Sequence, residues 1–273
     1  MIHLKSDQEI ATMKAGGQKL QKVLNYLLEN ARVGVSLLTL DKIAEDKITS
    51  LGAESSFKKV PNYHWTCCFS VNDVVVHGIP TEYKIKNGDI VGIDCGVYYA
   101  GFHTDSAWTI LVNNQEATRH PGSGRMDSPG LPAGKAGVEE SQKRKFLQVG
   151  EDTLQKALKQ VKLGNRIGHI SKTIQENIEK AGYSVVASLT GHGVGKNLHE
   201  DPQVPGILRK ELENTPLLEK GMVLAVEVIY NLGSPDVVYK GDDGWTIATK
   251  DAKISGLFES TVALSADGVF VLT

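Results

Sequence analysis

The chain has 273 residues, of which 41% are hydrophobic and 23% charged, a composition that suits one large folded unit with a substantial core. Its net charge of −2 gives no basic excess, so we expect neither a specific nucleic acid nor a membrane among its partners. Three cysteines do not suit a disulfide framework, and no signal-like apolar run opens the sequence, so we expect a cytoplasmic protein.

The first third of the chain predicts two helices followed by short strands. The segment Ser6–Glu9 has the form of a capping box, and the apolar spacing behind it predicts a helix of about 25 residues. Residues 38–51 predict a second helix. Residues 65–71 and 74–76 are rich in β-branched and aromatic side chains and predict two strands.

Residues 87–112 predict an antiparallel hairpin, because two β-branched and aromatic runs flank a turn that contains glycine. The first run carries Asp94 and the second carries Asp105. A buried carboxylate without a partner costs several kcal/mol. Two carboxylates on one face therefore indicate either a proton-sharing pair or a site for a hard cation.

Residues 115–138 interrupt this regularity. They are rich in Gly, Pro and Ser and have no apolar period, which predicts an exposed, mobile insertion. A solvated insertion is a better interpretation than a partner-binding loop, since most loops serve only as connections. Helical spacing resumes from residue 146 to 161 and again from 167 to 181.

The second half of the chain repeats the first. The segment Gly221–Glu227 matches Gly88–Asp94, with the acid at the same distance from the glycine in both, and residues around Glu259 resemble those around Asp105. A turn at 241–245 is expected between the two later acidic strands, and a last strand at 269–272. A duplicated αβ unit would bring the four acids together, which requires roughly two divalent ions.

A histidine between glycines, His192, follows an apolar strand. The segment Gly191–Gly195 lacks the spacing of a nucleotide-binding loop, whereas an imidazole exposed to a cleft is a credible metal ligand. Oxygen ligands with one nitrogen suit Mn, Fe(II), Co or Zn, and two such ions favour amide hydrolysis. The expected ligands are Asp94, Asp105, His192, Glu227 and Glu259.

Each of these residue types is more often structural when it stands alone. A single Asp or Glu is usually solvated or bonded in a turn, and only the repeat favours a site for the four acids. His77 precedes a Gly-Ile-Pro turn, where it either caps the turn or donates to a substrate. For His103 we expect packing or support of Asp105. Packing in the core or in a pocket is expected for Tyr63, Cys68, Leu198 and Trp245.

The chain resembles the methionine aminopeptidases of metallopeptidase family M24, in their short bacterial type I class, over nearly its whole length. The matching segments are 4–10, 70–80, 92–94, 101–105, 191–195, 199–204 and 243–246. This resemblance implies an α+β pita-bread fold, in which two pseudo-symmetric αβ halves share an antiparallel sheet with outer helices. We expect a single catalytic domain over 1–273, with an N-terminal half at 1–113, the insertion at 115–138 and a C-terminal half at 139–273.

The resemblance also implies roles for individual residues. One ion would be held by Asp94, Asp105 and Glu259, and the other by Asp105, His192, Glu227 and Glu259. His77 would contact the scissile amide nitrogen and His199 the carbonyl oxygen, while Glu227 would act as general base and then acid. The pocket for the methionine side chain would contain Tyr63, Cys68, Leu198 and Trp245.

Three residues depart from the family pattern: Val228 replaces Pro, Ser260 replaces His, and Leu198 replaces an aromatic wall. Because the ligands are retained, we expect an active enzyme with an altered pocket. The expected reaction removes methionine from nascent chains with a small second residue, by attack of a metal-bridged hydroxide on the amide. Nascent N-termini are the expected substrate, the ribosome is a further candidate partner, and a monomer is expected.

Two other interpretations stay open. A proline-specific peptidase of the same fold would share the metal ligands, although that class usually carries an extra N-terminal domain. A non-catalytic binding module of this fold would be expected to have lost ligands, and this sequence has lost none.

Overall fold

A computed structural model describes residues 2–113 and 135–273. The helices are α1 (Asp7–Asn30), α2 (Leu37–Ser50), α3 (Lys135–Leu158) and α4 (Ile167–Lys180). The strands are β1 (Glu54–Ser55), β2 (Cys67–Val71), β3 (Val74–Val76), β4 (Ile90–Tyr99), β5 (Phe102–Leu111), β6 (Ser184–Val185), β7 (Thr190–Gly193), β8 (Glu200–Pro205), β9 (Val223–Asn231), β10 (Val237–Tyr239), β11 (Ile247–Thr249), β12 (Ser255–Ser265) and β13 (Gly268–Val271).

The predicted insertion at 115–138 lies outside the described residues except for its last four. Those four open α3, which begins at Lys135 and so starts eleven residues before the helical spacing that the sequence shows from Phe146. The first helix confirms its predicted cap, because the Ser6 hydroxyl accepts the Glu9 N–H while the Glu9 carboxylate accepts the Ser6 N–H. The predicted hairpin is also confirmed as β4 and β5.

One large antiparallel sheet runs through both halves of the chain, in the strand order β1-β4-β5-β12-β9-β7-β8. The first half contributes β4 and β5, on which α1 packs, and the second contributes β9 and β12, on which α3 packs. The two halves meet where β5 pairs with β12. The main apolar core fills the space between the helices and this sheet, which leaves the other face of the sheet for a site.

The second half differs from the first by an added hairpin. β10 and β11 pair with each other around the predicted turn at 241–245, and β11 then pairs with β3 in a separate three-stranded sheet. The turn is therefore present, but it closes this extra hairpin and does not join β9 directly to β12 as the sequence suggested. Within residues 2–113 and 135–273, no helix combines the length and apolar character needed to cross a membrane.

Candidate functional site

Strand register places three of the predicted ligands in one row across the large sheet. Asp94 lies opposite Ala107, and Ala107 lies opposite Glu259. Glu259 in turn lies opposite Glu227. Residues that face each other in antiparallel strands project from the same side of the sheet. The three acids of β4, β12 and β9 therefore share the face that the helices leave open.

Asp105 and His192 form a second row beside the first. Asp105 lies opposite Gly96, two residues beyond Asp94, and His192 lies opposite Ala225, two residues before Glu227. Because side chains alternate along a strand, a step of two residues keeps both rows on one face. Between Asp105 and His192, this row contains Ala225 and Thr261, which lie opposite each other, and the Thr261 hydroxyl is hydrogen-bonded to the Asp105 backbone.

The two halves of the repeat are not equivalent at this point. Glu227 and Glu259 face each other directly, whereas Asp94 and Asp105 are diagonal neighbours, and Ala107 occupies the position that corresponds to Glu259. The sequence predicted two matching pairs of acids. In the structure, Asp105 lies two residues away from the position directly opposite Asp94, whereas Glu259 lies directly opposite Glu227.

The ligand atoms of this site lie close together. One atom each of Asp105, His192 and Glu259 falls within 4.8 Å of the others, and the His192 Nε2 is 3.5 Å from a Glu227 carboxylate oxygen. The His192 Nδ1 lies 2.9 Å from the Gly193 carbonyl oxygen, to which it must donate because a carbonyl only accepts. This tautomer leaves the Nε2 lone pair directed at the acids, as a metal ligand requires.

The acids repel one another in a buried setting. Burial raises the pKa of Asp94, Glu227 and Glu259 well above the usual range, and neighbouring acids add to the shift. Burial also raises the pKa of Asp105 to about 7. Asp94 Oδ1 and Glu259 Oε1 are buried and have no hydrogen-bond partner among the described residues. Unsatisfied carboxylate oxygens beside an imidazole nitrogen fit divalent transition-metal ions, whose charge would offset this repulsion.

A cleft of about 550 Å³ reaches His192 and Glu227 of this site, and its lining also includes His77, His199 and Ile229. Burial, reinforced by the charge of His199, lowers the pKa of His77 to about 4. Burial of part of its ring also lowers the pKa of His199, whose ring centre is 4.4 Å from that of His192. The histidines of the cleft are therefore neutral near pH 7, so each can donate an N–H without carrying charge.

The four predicted pocket residues lie together in one apolar cluster. Its buried members include Tyr63, Cys68 and Leu198, and the Trp245 ring packs against that of Tyr63 at a centroid distance of 5.1 Å and an angle of 78°. The Tyr63 hydroxyl is 3.0 Å from the Cys68 sulfur. Cys68 lies opposite Asp94 in the sheet, so this pocket borders the row of acids.

Only one of the three departures from the family pattern lies in this pocket. Val228 and Ser260 are buried residues that follow Glu227 and Glu259 directly. Neighbouring residues of a strand project from opposite faces, so both side chains point away from the acids and towards the helices. Of the three, only Leu198 belongs to the apolar cluster.

Two further features of the site's surroundings compare differently with the sequence: the packing of His103 was expected, and one buried ion pair was not. His103 packs as expected, with its Nδ1 2.9 Å from the Ser56 hydroxyl. An ion pair between Lys5 and Glu200, with 2.7 Å between the charged atoms, was missed. Both side chains are at most 5% exposed, and Glu200 directly follows His199, so this pair ties the start of the chain to the cleft. Lys5 lies in a recognised motif, but no local pattern identifies its partner.

Comparison with known proteins adds to this geometry. A model of metallopeptidase family M24 matches residues 11–264. A methionine aminopeptidase of Clostridium perfringens is 40% identical over 273 residues, which span 100% of this chain and 99% of that protein. Methionine aminopeptidase 1 of Bacillus subtilis is 37% identical over 273 residues, again spanning 100% and 99% of the two chains.

Solved structures agree with these relatives. A methionine aminopeptidase from Thermotoga maritima superposes with a TM-score of 0.86 at 32% identity, covering 100% of this chain and 99% of that one. A prolidase from Pyrococcus furiosus superposes with a TM-score of 0.71 at 19% identity, covering 99% of this chain and 65% of the prolidase. The prolidase comparison indicates a shared fold and nothing more.

Proposed function

This chain belongs to metallopeptidase family M24 as one of its methionine aminopeptidases, and we propose how its residues remove the first residue from peptides that begin with methionine. The observation that carries the proposal is the pair of ligand rows, which bring four carboxylates and one imidazole to one face of the sheet, where His192 and Glu227 line a cleft. The enzyme is a hydrolase, and the face of the sheet opposite the helices is its active site.

Two divalent ions, drawn from Co, Mn, Fe(II) or Zn, are proposed to occupy this site. The first would be held by Asp94, Asp105 and Glu259, and the second by Asp105, His192, Glu227 and Glu259. The unpartnered oxygens of Asp94 and Glu259 support this count, because one ion alone would leave part of the acidic charge uncompensated. When bound, the ions would supply Lewis acidity, which activates water at neutral pH and polarises the scissile carbonyl.

Three residues of the cleft are proposed to handle the protons of the reaction. Glu227 accepts a proton from the attacking water and delivers it to the amine that leaves, a role for which its position in the lining of the cleft suits it. His199 donates an N–H to the carbonyl oxygen as negative charge develops on it. His77 accepts the N–H of the scissile amide with the lone pair of its neutral ring. Both histidines are neutral at pH 7, so neither repels the ions beside them.

The apolar cluster beside Asp94 is proposed to hold the methionine side chain. Tyr63, Cys68, Leu198 and Trp245 form one cluster of apolar and aromatic surfaces, which suits a flexible thioether because its sulfur packs well against aromatic edges. The lining of the cleft also includes Val76 and Ile229, both 4% exposed. We propose that these branched side chains contact the second residue of the substrate and favour a small one.

The setting of the enzyme is part of the same proposal. We propose that it acts as a monomer on the N-termini of nascent polypeptides, with the ribosome as a potential partner. The chain works as a single catalytic domain, because each half supplies ligands to the shared site. The three cysteines are unpaired and buried, which supports a reducing, cytoplasmic compartment.

The test uses metal-stripped enzyme reloaded with Co(II) or Mn(II). We expect release of methionine from the peptide Met-Ala-Ser and none of alanine from Ala-Pro-Ala. Asp105→Asn should abolish turnover, whereas Asp46→Asn, at an exposed position of α2, should leave it unchanged. Cleavage of the proline peptide would assign the chain to proline-specific peptidases. No cleavage of either peptide with metal bound would indicate a binding module.

A further inference from the structure

His77 sits in a backbone conformation that other parts of the molecule must hold. Its φ is 57°, in the left-handed region, which a non-glycine residue occupies only when surrounding structure fixes it there. His77 directly follows β3, is half-buried and lines the cleft. The orientation of its ring therefore depends on what holds the turn formed by His77, Gly78 and Ile79.

The first support of this turn comes from β2. The Gly78 carbonyl accepts the N–H of Phe69 at 2.7 Å. A Cβ at Gly78 would stand 2.1 Å from the Phe69 carbonyl oxygen, so only glycine allows the turn to lie this close to the strand. This contact fixes one side of the turn and leaves Ile79 to be held from elsewhere.

The second support comes from the extra hairpin. Ile79 donates its N–H to the Thr246 hydroxyl at 3.4 Å, and that hydroxyl donates to an Asp243 carboxylate oxygen at 2.6 Å. A carboxylate only accepts, so the Thr246 proton is committed to Asp243 and a lone pair of the hydroxyl faces Ile79. The other Asp243 oxygen accepts the N–H groups of Trp245 and Thr246, each at 2.8 Å, which immobilises the acid.

Strand pairing explains why this hydroxyl reaches the turn. Ile247 of β11 lies opposite Val76 of β3, so Thr246 is the next residue along and lies beside His77. Thr246 is 8% exposed, so water competes little for its hydrogen bonds. The hairpin of β10 and β11 has no counterpart between β4 and β5, where a tight turn joins the strands.

We propose that Asp243 and Thr246 are positioning residues for His77, and that the hairpin of β10 and β11 serves catalysis by holding that imidazole at the scissile bond. The proposal rests on the function proposed above. Loss of the Thr246 hydroxyl would let the turn relax towards an unstrained conformation and move the ring away. A displacement of about 1 Å at a catalytic group can cost up to about 100-fold in rate, so we expect kcat to fall about tenfold or more.

The experiment measures kcat and KM on Met-Ala-Ser for Thr246→Val, Asp243→Asn and Thr246→Ser, each alone and combined with His77→Ala. Thr246→Val is close in shape to threonine but lacks the hydroxyl, and Thr246→Ser is the matched control that keeps it. Metal content, Tm and binding of free methionine, followed by tryptophan fluorescence, are measured on every variant. If Thr246→Val fails to fold, Asp243→Asn carries the same comparison.

We expect Thr246→Val and Asp243→Asn to lower kcat while KM, metal content and methionine binding change by less than about twofold, and Thr246→Ser to restore kcat. In the His77→Ala background, Thr246→Val should lower kcat almost no further, because the imidazole that Thr246 positions is already absent. An undiminished loss in that background would overturn the proposal. A change confined to KM and methionine binding would also overturn it, since Asp243 and Thr246 would then position only Trp245. Failure of the wild-type enzyme to release methionine would instead refute the proposed function.

Discussion

Burial raises the pKa of Asp105 to about 7, and Asp94, Glu227 and Glu259 are raised well above their usual range. Without metal, part of this carboxyl set therefore holds protons at neutral pH. Burial lowers the pKa of His192 to about 4, so this ligand has already lost its proton at pH 6. Metal ions must displace protons from the acids but not from the histidine.

This predicts that metal affinity rises with pH. Between pH 6 and 8 the acids hold fewer protons as pH increases, so less work is needed to displace them and the Kd for Mn(II) should fall, by about tenfold per unit for each proton released. Titration calorimetry in buffers of different protonation enthalpy counts those protons. Asp105→Asn should release fewer of them, and a Kd that does not change with pH, without proton release, would contradict the prediction.

At the scale of elements, two neighbouring glycines of α1 face different surroundings. A Cβ at Gly17 would stand 2.3 Å from the Leu272 carbonyl oxygen, whereas the nearest atom to a Cβ at Gly16 is 3.4 Å away, on the Tyr99 side chain. Gly17 therefore allows the helix to touch the C-terminal end of the chain, and Gly16 lies at ordinary packing distance.

We predict opposite outcomes for the two alanine substitutions. Alanine in a helix is worth about 1 kcal/mol over glycine. At Gly17 the backbone clash should exceed this gain and leave Gly17→Ala less stable by about 1–3 kcal/mol. Gly16→Ala should be neutral or slightly stabilising. Urea unfolding of the two variants beside the wild type measures both effects, and equal stability of the two variants would show that α1 moves freely on the sheet.

The elements also show how far sequence reasoning reaches. The capping box at Ser6 and the hairpin that carries Asp94 and Asp105 are local features, and both are confirmed. The repeat in the sequence predicted that Glu227 and Glu259 share this site, because a duplicated unit is expected to place equivalent strands side by side. Sequence thus indicated the α+β fold and the candidate ligands before any register was known.

Long-range pairings were beyond this reasoning. The contact of β11 with β3 joins segments far apart in the chain, and no local pattern reports it. The diagonal offset of Asp105 depends on register, which a sequence echo does not determine. The Lys5–Glu200 pair likewise depends on how the two ends of the fold meet. The support for His77 was missed for the same reason, although Thr246 lies in a recognised motif.

For the whole molecule, the site is divided between the two halves. Asp94 and Asp105 come from the first, and His192, Glu227 and Glu259 from the second, with the pairing of β5 and β12 between them. We therefore predict a single unfolding transition, since neither half can keep the site without the other.

Urea titrations followed by tryptophan fluorescence and by peptide turnover should have the same midpoint in the metal-loaded enzyme. Bound metal should raise this midpoint, because the ions bind only the folded site, whereas the slope of the transition should stay unchanged. The metal-free protein titrated by fluorescence is the control. Turnover lost well before fluorescence, or two fluorescence transitions, would mean that the halves unfold separately.

The position of β12 bears on how the chain reaches this fold during synthesis. This strand lies at the middle of the large sheet, between β5 and β9, yet only β13 follows it in sequence. Until the ribosome has made Ser255–Ser265, both neighbouring strands expose open edges that invite pairing with other chains. The pairing of β12 with β5 joins segments that are far apart in the sequence, and forming such a contact is a slow step. Incomplete chains are accordingly the species most prone to aggregate, and chaperone demand should be highest just before the last strands emerge.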